Sequence, residues 1–126
     1  MSHMMWNPNG NSRFLPAHDV IELDDKIVVV VEVAGMRTDN FQIHLVGDRL
    51  VITGVRRRPA YERCAHHRVE IGYGEFRLDV PLHWAVQRDA VTATYADGFL
   101  QIDLPRRPEK HIEILTVEQG KTSDEQ

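Results

Sequence analysis

The sequence contains a single cysteine, Cys64, which excludes an internal disulfide and a zinc site built on cysteine. Long apolar runs are also missing, because the longest, residues 27–31, has five residues, whereas a membrane helix needs about 20. The chain does not open with a basic segment followed by an apolar stretch, as a secretion signal would. We therefore expect a soluble, cytoplasmic protein with no membrane partner.

Neither sign of charge dominates the sequence. Its 15 Lys and Arg residues oppose 19 Asp and Glu residues, for a net charge of −4, so no basic face is available to neutralise a phosphate backbone. We expect no nucleic-acid partner. The chain also lacks a G-x-S-x-G elbow, a glycine loop for phosphate and paired carboxylates beside an evident cleft. We expect no enzyme activity and no cofactor.

The sequence does contain apolar and polar residues that alternate with a period of two, interrupted by turn residues every eight to twelve positions. This pattern predicts an all-β sandwich or barrel. Residues 27–33 form the clearest strand because nearly all of them are β-branched. Asp24 and Asp25 predict a turn that joins this strand to residues 19–23.

Two further hairpins are predicted from short turns. Gly47-Asp48 connects residues 41–45 to residues 50–53, and Asp97-Gly98 connects residues 91–95 to residues 100–104. A separate strand over residues 76–82 contains Pro81, which lacks an amide hydrogen and so belongs at a sheet edge or strand end.

The predicted domain organisation has three parts. Residues 1–16 read as a short flexible arm, because they are rich in Asn, Gly, Pro and Met without periodicity. Residues 17–105 form the β-sandwich, including a long charged loop at residues 56–71. Residues 106–126 form a C-terminal extension that carries an isolated apolar pair at 112–114.

Several motifs in order resemble the α-crystallin domain of the small heat shock proteins. Residues 93–100, Ala-Thr-Tyr-Ala-Asp-Gly-Phe-Leu, resemble its A-x4-G-x-L signature. Similar matches are an opening strand at 19–22, an elPG-type turn at 33–35, an L-x-I-x-G strand at 50–54 and Tyr-Gly-Glu-Phe at 73–76. The resemblance implies an immunoglobulin-like antiparallel β-sandwich (fold class all-β) and an ATP-independent holdase chaperone that binds partly unfolded proteins.

Ile112-Glu113-Ile114 resembles the I-x-I tail motif of that family. The resemblance implies docking in a groove on a neighbouring subunit, lined by Phe41, Ile43, Leu45, Val91, Ala93 and Tyr95. An extended segment that adds to a sheet edge places alternate side chains in pockets, which makes this mode physically reasonable. The alternative is a last strand that folds onto its own domain.

Residues 57–70 resemble the bacterial and plant-type loop whose central strand pairs with the partner subunit. The resemblance implies a strand-exchanged homodimer that builds higher oligomers. The residues expected in this contact are Tyr61, Glu62, Arg63, Cys64, His66, His67 and Arg68. The alternative is a solvated loop in a monomer, or in a dimer formed some other way.

His66 and His67 next to Cys64 suggest two chemical roles. A metal site is not expected, since adjacent residues on a strand point to opposite faces and no carboxylate spacing completes a ligand set. We favour a pH-sensitive contact, because charging these histidines beside Arg63 and Arg68 would loosen a dimer.

The N-terminal arm carries candidate client-binding residues, Met4, Met5, Trp6, Phe14 and Leu15, since methionine and aromatic side chains give adaptable contact area. An arm without function is the alternative. The sequence departs from the family at Leu78, where many relatives carry arginine, so an arginine contact is not carried over. Two rival functions stay open, a co-chaperone of the p23/CS type and a self-assembling protein that binds no clients.

Overall fold

A computed structural model describes residues 14–108 and 113–120. Met4, Met5, Trp6 and Ile112 lie outside these residues. The strands are β1 His18–Glu22, β2 Lys26–Glu32, β3 Phe41–Val46, β4 Arg49–Arg56, β5 Gly74–Pro81, β6 Thr92–Ala96 and β7 Phe99–Pro105. Short 3-10 helices at Thr38–Asn40 and Arg88–Ala90 precede β3 and β6.

The strands form two antiparallel sheets, one with the order β1-β2-β7-β6 and one with the order β3-β4-β5. The all-β, antiparallel prediction is confirmed. So are the three hairpins, including the turn at Asp97 and Gly98, whose φ angles of 55° and 83° are those of a two-residue type I′ turn. Pro81 is the last residue of the edge strand β5, as its missing amide hydrogen predicts.

Alternate apolar residues of both sheets meet in one core. The side chains that are less than 2% exposed are Val29, Val31, Val33, Leu50, Ile52, Leu78, Ile102 and Leu104. Leu78 lies directly across from Ile52 on the neighbouring strand and is 1% exposed. In this chain, therefore, position 78 packs the core.

The placement of Phe14 in a flexible arm is wrong. Phe14 is 8% exposed and belongs to the core. Its ring centroid lies 5.4 Å from that of Phe76, and its backbone N–H donates to the Glu75 carbonyl at 3.3 Å. Burial of an aromatic ring outweighs the polar composition around it. Leu15, in contrast, stays 70% exposed.

The ionised Asp103 carboxyl, which is paired with Lys26, should make part of the free energy of unfolding depend on pH. A hydrogen bond from Gln101 lowers the pKa of the Asp103 carboxyl, and Lys26, whose Nζ lies 3.1 Å from Oδ2, lowers it further. Since the folded pKa lies below the unfolded value of about 3.9, this stability is present above that pH and is lost as pH falls through the folded pKa.

We expect Asp103→Asn to lower the free energy of unfolding at pH 7 by about 1 kcal/mol or less, because the pair is partly solvated. In urea unfolding, the difference from wild type should shrink as pH falls below about 4. A difference that is the same at pH 7 and pH 3 would contradict this explanation.

Candidate functional site: an open groove between two sheet edges

The predicted groove strands come from different sheets, and the sandwich places them side by side. β3 is an edge of the three-stranded sheet and β6 is an edge of the four-stranded sheet. At one end, the ring centroids of Phe41 and Tyr95 are 5.1 Å apart. Tyr95 is held there because its hydroxyl donates to the Val33 carbonyl at 2.9 Å and accepts the Met36 N–H at 3.2 Å.

The side chains between these edges are apolar and incompletely covered. Phe41, Ile43 and Leu45 are half-buried and pack against the core, as do Val91 and Tyr95. Ala93 is exposed, although its cross-strand partner Ile102 is fully buried. Directly opposed residues share a face of the sheet, so the sandwich is open above Ala93. Five of the six predicted groove residues therefore lie on the two edge strands that the fold brings together, and Val91 directly precedes β6.

Because β3 and β6 are edge strands, each has backbone N–H and C=O groups that face away from its sheet. Among the described residues, each strand hydrogen-bonds to one neighbour in its sheet, β3 to β4 and β6 to β7. The outward N–H and C=O groups of an edge strand are a template for an added strand. The groove thus offers partly exposed apolar side chains together with backbone hydrogen-bonding groups.

A pocket of about 380 Å³ lies at the Leu45 end of the groove. Leu82, Trp84 and Val86 supply its apolar lining, and Arg88 and Arg107 supply positive charge. Arg88 donates to the Leu45 carbonyl at 3.1 Å and to the Gly47 carbonyl at 2.6 Å. Sequence reasoning missed this pocket, since Trp84 and Val86 lie in the connection between β5 and β6 and not in a periodic strand.

The predicted dimer loop lies apart from the groove. β4 extends through Arg56, so the loop comprises residues 57–73, in which the structure has no strand. All seven predicted contact residues there are exposed. Cys64 Sγ lies 3.8 Å from His66 Nε2. Within residues 14–108 and 113–120, the structure has no group of three side chains suited to hold a metal, and no helix there could span a membrane.

Arg56 joins the base of this loop to two other segments. Its guanidinium donates to the Gly72 carbonyl through Nε at 2.9 Å and Nη2 at 2.6 Å, and to the Ala34 carbonyl at 3.0 Å. It also lies 4.5 Å from the Phe14 ring centroid. Arg56 therefore connects the start of the domain, the turn after β2 and the end of the loop.

We expect Arg56→Ala to destabilise the fold by about 1–3 kcal/mol, because carbonyl acceptors and a cation–π contact are lost together. Hydrogen exchange should rise both near Phe14 and near Gly72. Arg57→Ala, at the exposed neighbouring position, is the control and should change stability by less than about 0.5 kcal/mol. Equal effects of the two variants would rule out this connecting role.

Comparison with known proteins identifies the family. The model of the Hsp20/alpha crystallin family matches residues 19–118, most of the chain. The chain belongs to this family. The spore protein SP21 of Stigmatella aurantiaca is 27% identical over 95% of this chain and 72% of its own length. The small heat shock protein IbpB of Klebsiella pneumoniae is 30% identical over 82% of this chain and 71% of its own length.

Solved structures show the same fold. A small heat-shock protein from Xylella fastidiosa superimposes with a TM-score of 0.72 at 22% identity, over 84% of this chain and 98% of its own. The hspA protein of Xanthomonas axonopodis superimposes with a TM-score of 0.69 at 25% identity, over 77% and 98%. The resemblance to the α-crystallin domain is confirmed, and the family is one of chaperones and not of enzymes.

Proposed function

We propose that this small heat shock protein is an ATP-independent holdase, which binds partly unfolded proteins and prevents their aggregation. The observation that carries the proposal is the open apolar groove between β3 and β6. Partly unfolded proteins expose apolar surface and unpaired strands, and the groove offers partners for both. A cytoplasmic location stays a prediction.

The tail supplies a reversible cover for the groove. Ile114, Leu115 and Val117 are 91%, 80% and 92% exposed, so the tail has apolar side chains without cover in the single chain. We propose that Ile112 and Ile114 dock in the groove of a neighbouring subunit. Burial of the pair is worth about 3–6 kcal/mol before the tail is ordered, so one contact is weak and several in an oligomer are strong.

The loop supplies a second contact between subunits. All five residues of β1 are exposed, and within residues 14–108 and 113–120 this edge strand pairs only with β2. We propose that the loop of one subunit adds to β1 of its partner and forms a strand-exchanged homodimer, which would cover an exposed edge. The Xylella fastidiosa relative, with the same fold, has a distinct high order structure, which agrees with assembly from repeated contacts.

Light scattering of a heat-aggregated model client tests the holdase function. The client is heated alone, with this protein at equal subunit concentration, and with an inert protein of similar size, all without ATP. We expect scattering to be suppressed only by this protein. Unchanged client aggregation at every temperature, while the protein itself forms oligomers, would contradict the holdase and favour a structural self-assembling protein.

A further inference from the structure

We propose that the pocket beside Trp84 is a second subsite of the groove, which takes Glu118 from the tail of a second copy of this chain. The tail then runs from the Phe41–Tyr95 end of the groove toward the Leu45–Trp84 end. This inference depends on the tail docking proposed above and adds its direction, its partner and a charged contact.

The tail is long enough to span the groove and the pocket. Leu45 lines both the groove and the pocket, so the two are continuous. In an extended segment alternate side chains share a face, which puts Glu118 on the same face as Ile112 and Ile114. Glu118 lies four residues beyond Ile114, a reach of about 13 Å at ~3.3 Å per residue. A tail with Ile114 near Leu45 therefore carries its carboxylate over the pocket.

The charges at the two ends of the groove favour this direction. Arg88 and Arg107 line the pocket, with Asp48 as the carboxylate among the lining residues. Arg107 is exposed, and its guanidinium has no hydrogen-bond or ion-pair partner within residues 14–108 and 113–120. Arg88 is anchored by the Leu45 and Gly47 carbonyls, which holds its charge at the rim.

The opposite end of the groove is less favourable for a carboxylate. Asp39 precedes β3 and Asp97 follows β6, and both are exposed. Arg37 is paired with Asp39 at 3.4 Å, so the two charges offset each other. A tail in the reverse direction would bring Glu118 toward Asp97, and like charges in contact are unfavourable.

A buried hydrogen-bond donor of Trp84 also lacks a partner. Trp84 Nε1 is buried and has no acceptor among the described residues. A buried donor without an acceptor is unfavourable. An incoming tail brings backbone carbonyls and a carboxylate to this part of the surface, and a small movement of the indole would let Nε1 donate to one of them.

The direction implies that the tail comes from another copy. The protein's own tail leaves the domain at the pocket, where the Arg107 N–H donates to the Ala85 carbonyl at 2.9 Å. It would enter its own groove from the Leu45 end and run the wrong way. To run in the proposed direction it would have to pass along the whole groove and reverse within the four residues that separate Arg107 from Ile112.

Disulfide trapping in the full-length protein tests the direction. In a Cys64→Ser background, one chain carries either Thr116→Cys or Lys110→Cys, two positions after and two positions before the isoleucine pair and on the same face of an extended segment. A second, isotope-labelled chain carries Ala85→Cys at the pocket end, where Ala85 is exposed. After subunit exchange and mild oxidation, mass spectrometry measures the disulfide-linked dimer that combines the two chains.

We expect about tenfold more mixed dimer with Thr116→Cys than with Lys110→Cys, because the proposed direction brings only position 116 to the pocket end and docking raises its effective concentration there. Arg107→Glu in the labelled chain should reduce that yield, and Glu118→Arg in the tail should then restore it. Equal yields with the two tail variants, or more with Lys110→Cys, would overturn the proposed direction. If Arg107→Glu leaves the yield unchanged, the charged contact is wrong.

A further variant separates this inference from the proposed docking. Ile112→Asp with Ile114→Asp in either tail variant should abolish its mixed dimer with Ala85→Cys. If those yields do not change, or if neither tail variant gives mixed dimers at all, tail docking itself is wrong and the subsite is wrong with it. If the mixed dimer forms mainly with Lys110→Cys and the isoleucine variant abolishes it, the docking stands and only its direction is wrong.

Discussion

Ile112→Asp together with Ile114→Asp is expected to dissociate large oligomers into dimers and to reduce the suppression of client aggregation. Each isoleucine contributes about 1.5–3 kcal/mol when buried, and an aspartate carboxylate cannot be buried in an apolar groove without a partner. The loss per tail therefore corresponds to about 100-fold or more in affinity. Mass photometry at micromolar concentration and client light scattering measure the two effects.

The tail itself provides a matched control. Leu115→Asp with Val117→Asp makes the same chemical change on the other face of the extended segment, so it should leave oligomer mass within the range of wild type. If this control dissociates the oligomers as fully as the isoleucine variant does, assembly depends on general tail hydrophobicity and not on the I-x-I motif. If neither variant changes the mass, the tail does not hold the assembly.

Leu78→Arg is expected to prevent stable folding. Leu78 is 1% exposed and lies across from Ile52, so the substitution removes a core side chain and buries a guanidinium among apolar residues. Truncation of a buried leucine alone costs about 2–5 kcal/mol, and an unpaired buried charge adds several more. This sum approaches the 5–15 kcal/mol that stabilises a typical domain. Circular dichroism and urea unfolding measure the loss.

Two variants separate core packing from a general effect of substitution. Leu78→Met keeps the volume and should cost less than about 1.5 kcal/mol. Val46→Arg adds the same charge at a side chain that is 61% exposed and should change stability by less than about 0.5 kcal/mol. A folded Leu78→Arg protein with near wild-type stability would show that the core can open at this strand.

The sequence alone was sufficient for most of the local structure. The β-branched run in β2 and the alternation in β3, β5 and β7 predict strands because these side chains suit a pleated, half-buried surface. The Asp97-Gly98 pair predicts a hairpin because Asp and Gly tolerate the positive φ that a type I′ turn requires. Both residues have a positive φ in the structure. The six groove residues were also predicted, but through the resemblance to the α-crystallin domain and not through periodicity.

Tertiary structure decided the remaining features, because they depend on residues far apart in the chain. Phe14 is buried since the ring of Phe76, 62 positions later, gives it an apolar surface. Arg56 finds its acceptors at Ala34 and Gly72 only when three segments converge. The pocket beside Trp84 exists because the connection after β5 lies next to the end of β3. The alternation of apolar and polar residues shows which side of a strand is apolar. Only the packing of the two sheets determines which sheet edges meet and which side chains remain exposed between them.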